Sequence, residues 1–136
     1  MKKVVLIDGQ GGRLGALLAE EILRAALPCD LVAIGTNGIA TAAMMKAGAP
    51  QGATGENPVI VACRDADVII GPIGILCADA LLGEITPPMA AAVGACRADK
   101  LLLPLNRCKN HVVGIKTLSM IELVKETVES LKALLG

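Results

Sequence analysis

The chain has 136 residues, 54% of them hydrophobic, with Lys+Arg and Asp+Glu balanced at 13 each and no Phe, Tyr or Trp. That length holds one good core but not a dinucleotide fold plus a separate substrate domain, so any second half of an active site must come from another chain. Without a basic tract nothing drives counterion release from nucleic acid, and without aromatic rings there is no stacking platform for a base or a flavin, and no tyrosine acid/base.

His111 is the single histidine, which excludes a two-histidine mechanism or a histidine-rich metal site within one chain. Cys29, Cys63, Cys77, Cys96 and Cys108 form no C-x-x-C pair and no disulfide scaffold. Met1-Lys2-Lys3 and the few apolar residues after it do not make a signal peptide, and the uncharged stretches fall short of the roughly 18 to 20 apolar residues of a membrane span. The expectation is a cytoplasmic protein with no membrane and no nucleic-acid partner.

In chain order, Val4 to Ile7 reads as a central parallel strand covered on both faces. The turn Gly9-Gln10-Gly11-Gly12-Arg13-Leu14-Gly15 follows and opens a helix from Leu14 to Ala26, stopped by Leu27-Pro28. Asp30 to Gly35 is the second strand. Thr36-Asn37 can cap a helix from Gly38 to Ala47, closed by Gly48; its only charge is Lys46, which predicts a buried helix packed against another subunit. Gly48 to Asn57 reads as loop. Pro58 to Arg64 fits either a strand, from Val59-Ile60-Val61, or a short helix with Pro58 at its first position. Helix is preferred, because the clear strand Asp67 to Gly71 follows too closely for a parallel crossover.

A second glycine turn, Gly71-Pro72-Ile73-Gly74, ends that strand, and Thr86-Pro87 starts an alanine-rich helix to about Arg97. Lys100 to Leu105 is the next strand, and Val112 to Ile115 is expected as an edge strand. Ser119-x-x-Glu122 is a capping box opening a last helix with Ile121, Val124, Val128, Leu131 and Leu135 facing inward. The alternation predicts an α/β fold: one Rossmann-like, doubly wound, mostly parallel sheet of about five strands in a single domain.

In such a sheet, ligands bind outside the carboxyl ends of the strands. Those tips are Asp8 to Gly12, Gly35-Thr36-Asn37, Gly71 to Gly74 and Pro104-Leu105-Asn106. Glycines let the backbone approach an anion, and a helix start aims unpaired N–H groups and the positive dipole end at the same point. The expected ligand-binding residues are Gly9, Gln10, Gly11, Gly12, Arg13, Gly15, Thr36, Asn37, Gly71, Pro72 and Gly74. The spacing Gly9, Gly12, Gly15 is similar to the turn of extended and atypical short-chain dehydrogenases, a resemblance confined to the first β-α unit. No carboxylate follows the second strand to hold an unmodified ribose, while Arg13 lies within the glycine turn, so NADP or a related nucleotide is expected in preference to NAD. A solvated helix residue is the alternative for Arg13.

Asp8 stands at the mouth of this turn, where it repels pyrophosphate unless a metal ion or a hydrogen-bond network intervenes; it reads as a turn residue accepting backbone N–H bonds in preference to a magnesium ligand, and it is an acid/base candidate if the protein is an enzyme on a small metabolite. Glu56 and Glu84, in glycine-containing loops, are acid/base candidates; the structural alternatives are an exposed loop acid for Glu56 and, for Glu84, attraction to the start of the following helix. Cys108 and His111 supply two metal ligands, too few for a site, and no metal is expected.

Over nearly its full length the chain resembles a family of short bacterial proteins classed as a domain of unknown function. The residues carrying the match are Ile7 to Gly12, Gly35 to Asn37, Gly52 to Asn57, Ile70 to Ile75, Gly83 to Pro87 and Leu103 to Asn106. That resemblance implies no activity. Three readings follow: a homo-oligomeric protein binding a phosphate-containing nucleotide, an enzyme acting on a small phosphorylated or carboxylated metabolite without dinucleotide, and a non-enzymatic partner subunit responsive to nucleotide.

Overall fold

Strands made of consecutive Val, Leu and Ile must be covered on both faces, and two layers of helices do this here. The computed structural model describes residues 1–105 and 109–136. The elements are β1 (Lys2–Asp8), α1 (Arg13–Arg24), β2 (Cys29–Gly35), α2 (Gly38–Lys46), β3 (Gly52–Thr54), α3 (Glu56–Cys63), β4 (Val68–Pro72), a 3-10 turn at Ile73–Leu76, α4 (Pro87–Ala95), β5 (Asp99–Leu103) and α5 (Met120–Leu135). All strand pairings are parallel, in the order β3-β2-β1-β4-β5. This is the expected Rossmann-like α/β architecture.

Successive side chains of β1 enter opposite layers. Val4 and Leu6 join the core beneath α1, α2 and α5, with Leu18, Met44 and Leu131, whereas Val5 and Ile7 join the core beneath α3 and α4, with Val59, Met89 and Val93. The chain winds from β1 outward to β2 and β3, then crosses through α3 to β4 on the other side of β1. The topological switch therefore lies between β1 and β4, with Asp8 and Pro72 at their tips.

Several expectations need correction. The loop expected over Gly48 to Asn57 contains β3, a three-residue edge strand paired with the end of β2. Its shortness and glycine content conceal it from any periodicity. The preferred helix at Pro58 to Arg64 is present but starts at Glu56, so Pro58 is the third helical residue, where its missing N–H still breaks no intrahelical bond. This helix is the crossover that the parallel β3 and β4 require.

Val112 to Ile115 is no strand. It turns at Val113-Gly114, with Gly114 at φ 86 and Val113 96% exposed, and no described residue pairs with it as a strand. A gap of about 340 Å³ remains between Leu101–Pro104 and the segment at Ile115–Leu118. In α5 the inward face is Leu123, Val124, Thr127, Val128 and Leu131, while Ile121 is 61% exposed and Leu135 is half-buried. The stripe is turned by one residue because Leu123 and Thr127 pack inward in its place. Nor is α2 buried within this chain: Ala40 and Met44 are covered, but Ile39 is 73% and Met45 41% exposed. The lone charge of α2 signalled an apolar helix without saying what covers it.

Candidate functional site

The glycine turn lies at the switch point, and its chain path follows from two left-handed residues. Gln10 has φ 49, and Gly12, the N-cap of α1, has φ 73. Gly12 brings no side chain to cap the helix. Asp8 does so instead from the end of β1: its Oδ2 accepts the Gly15 N–H at 2.7 Å and its Oδ1 accepts the Gly9 N–H at 2.8 Å. Asp8 is thus the turn residue of the structural alternative and is 5% exposed. Burial is the largest influence on its carboxyl and raises its pKa above the ordinary 3.8; the two N–H bonds oppose this, and nearby Glu84 adds to it.

Glu84 reaches the same turn from the loop before α4. Its Oε1 accepts the Gln10 N–H at 2.8 Å, the Thr36 hydroxyl at 2.6 Å and the Asn37 amide at 2.9 Å. Asn37 also donates to the Gln10 carbonyl at 2.9 Å and caps α2 by accepting the Ala40 N–H. Desolvation pushes the Glu84 pKa up, but the bonds from Thr36, Gln10 and Asn37 together outweigh it and hold the carboxyl below its ordinary 4.5. The loop that presents Glu84 is strained, with Asp79, Leu81 and Leu82 all at positive φ. Glu84 folds back onto the β1 and β2 tips; the Ncap of α4 is Thr86, whose hydroxyl accepts the Met89 N–H.

The turn has therefore divided its N–H groups. Those of Gly9, Gln10, Gly12 and Gly15 bond to the protein's own Asp8, Glu84 and Gly9 carbonyl. Those of Gly11, Arg13 and Leu14 have no acceptor among the described residues. They border a cavity of about 260 Å³ lined by Asp8 to Leu14 together with Leu105 and Met120. Among the described residues Arg13 makes no ion pair, and it is exposed.

Of the residues expected to form the site, Gly9 to Arg13 line this cavity, and Thr36 and Asn37 meet the turn through Glu84. Gly71, Pro72 and Gly74 are buried and are not part of its lining. A Cβ at Gly71 would come within 2.5 Å of the Ile7 carbonyl oxygen, and one at Gly15 within 2.5 Å of Met44 Sδ, so both glycines answer to packing. Glu56, the first residue of α3, accepts the Thr86 hydroxyl at 2.5 Å and ties the starts of α3 and α4 together. His111 is exposed, Asn106 and Cys108 lie outside the described residues, and no group of three potential metal ligands occurs among those described. Sequence reasoning missed Met120. Its signal was the capping box at Ser119, which sets Met120 as the first residue of α5, facing the turn.

A doubly wound parallel sheet with a glycine turn at its switch point defines a Rossmann-like α/β protein. Within that class the chain belongs to the family described as Domain of unknown function (DUF3842), whose model matches residues 3–136. No curated protein matches it. No helix among the described residues is long and apolar enough to cross a membrane.

Proposed function

We propose that the protein binds the phosphate of a nucleotide or other small molecule at the β1-α1 turn. The observation carrying this reading is that the N–H groups of Gly11, Arg13 and Leu14, which have no acceptor among the described residues, surround one cavity at the positive end of α1. Arg13 adds a cation that has no ion-pair partner among the described residues. Asp8 weakens the site through its charge. It also stiffens it, since the carboxylate holds the turn to the helix through Gly9 and Gly15.

Two forms of ligand compete. NADP is favoured by Arg13, as the sequence suggested. A small phosphorylated metabolite or mononucleotide is favoured by Glu84, which fills the crevice over β2 where the adenosine half of a dinucleotide lies. The cavity of about 260 Å³ is also below the roughly 300 to 1,000 Å³ of typical cofactor pockets. We carry the smaller ligand forward; a dinucleotide would first have to displace Glu84. The exposed Ile39 and Met45 of α2 support a homo-oligomer, in which a neighbour covers this face.

Thermal shift of the full chain against inorganic phosphate, AMP, sugar phosphates, NAD and NADP tests the reading. Gly11 is the proper position for a disabling charge, because a Cβ there meets nothing within 4 Å. Gly11→Asp is expected to abolish any phosphate-dependent shift with the unliganded melting temperature unchanged. An unaltered shift in that variant, or none with any phosphate compound in the wild type, overturns the proposal. A shift with NADP alone would restore the dinucleotide.

A further inference from the structure

At the end of the α3-α4 layer remote from Glu84, two cysteines that play no part in the phosphate reading come together. Cys63 is the last residue of α3 and Cys96 the C-cap of α4. The Cys96 thiol donates to the Cys63 backbone carbonyl at 3.0 Å, which brings the Cys96 sulfur to the backbone of Cys63. Both line a groove of about 400 Å³ whose rim carries Arg64 and Arg97. Cys63 is buried; Cys96 is half-buried.

We propose that Cys63 and Cys96 are a redox-active pair, oxidised to an intramolecular disulfide by an anionic low-molecular-weight disulfide that docks in this groove. The geometry assigns the order of events. Cys96, the more accessible thiol, loses its proton to solvent and its thiolate attacks one sulfur of the incoming disulfide; that S–S bond breaks and one small thiolate leaves with the electron pair. Cys63 then loses its proton and attacks Cys96 Sγ, the mixed S–S bond breaks, and the second small thiolate departs. The protein gives up two electrons and two protons, and the small disulfide becomes two thiols.

The arginines favour a carboxylate-bearing disulfide at the groove. Burial pushes the Cys63 thiol up to about 11, with the neighbouring Cys96 adding to the effect, so closure of the ring is the slower step. The bond would staple the ends of α3 and α4 whose starts are already joined by Glu56 and Thr86, stiffening the layer that carries the Glu84 loop.

The test treats the folded full-length chain with oxidised glutathione, quenches by alkylation and maps disulfides by mass spectrometry. Cys63–Cys96 is expected to dominate over every other pairing of the 5 cysteines. Cys63→Ser, or Cys63→Ala if the serine variant does not fold, should accumulate a stable glutathione adduct on Cys96, and Cys96→Ser should leave Cys63 reduced. Ring closure should speed up about tenfold per pH unit below the Cys63 pKa, as the thiolate fraction does. A cross-link that is absent, or that forms only after urea is added, overturns the proposal.

Discussion

Gly11 and Gly12 are neighbours with different reasons to be glycine. Gly12 has φ 73, and a Cβ on it would lie 2.7 Å from the Ala40 Cα, backbone that cannot step aside because α1 and α2 pack there. Gly12→Ala should therefore cost more than about 1 kcal/mol in urea unfolding, while Gly11→Ala stays within about 0.5 kcal/mol. Equal losses at the two positions would refute this division of roles. The two carboxylates of the turn have opposite linkage to pH. Glu84 has its folded pKa lowered, so its contribution to stability is full above the ordinary 4.5 and is lost as pH falls through the folded value. Asp8 has its pKa raised, so its contribution is full below the ordinary 3.8 and is lost as pH rises through the folded value. The stability gap between wild type and Glu84→Gln should accordingly be constant at neutral pH and close in acid below 4.5. A gap that does not vary with pH would mean that Glu84 stabilises the turn by shape and not by charge.

Among the elements, helix starts were the most legible because their signals are local. Asn37, Thr86 and Ser119 cap α2, α4 and α5 as their side chains predict. Thr86 also donates to Glu56, so one hydroxyl serves the start of α4 and the link to α3. Thr86→Ala is expected to lower stability by about 1 to 2 kcal/mol, the range of a lost cap, and Thr86→Ser to recover most of it. Strands at the edges were less legible. β3 is too short for alternation to show, and Val112 to Ile115 has the composition of a strand but pairs with none among the described residues. A strand exists only where another accepts its hydrogen bonds, and this lies outside any local window.

For the molecule as a whole, α2 presents Ile39 and Met45 at the surface. Ile39, at 73% exposure, contributes little to the isolated chain, so Ile39→Lys should leave the melting temperature of a monomer unchanged. If α2 forms the homo-oligomer contact, the same substitution should shift sedimentation from an oligomer to the monomer. Wild-type protein sedimenting as a monomer would remove that contact from the proposal. The alternation of elements, the buried strands and the position of the glycine turn were all legible in the residues themselves, since hydrophobic period, caps and turn formers act over a few neighbours. Which amides of the turn remain free was decided only by the tertiary structure. Asp8 reaches Gly15 across the turn, Glu84 arrives at Gln10 from 74 residues away, and Cys63 meets Cys96 where two helix ends converge. An anion site depends on the acceptors it lacks as much as on the donors it has, and the arrival of those acceptors is a property of chain packing.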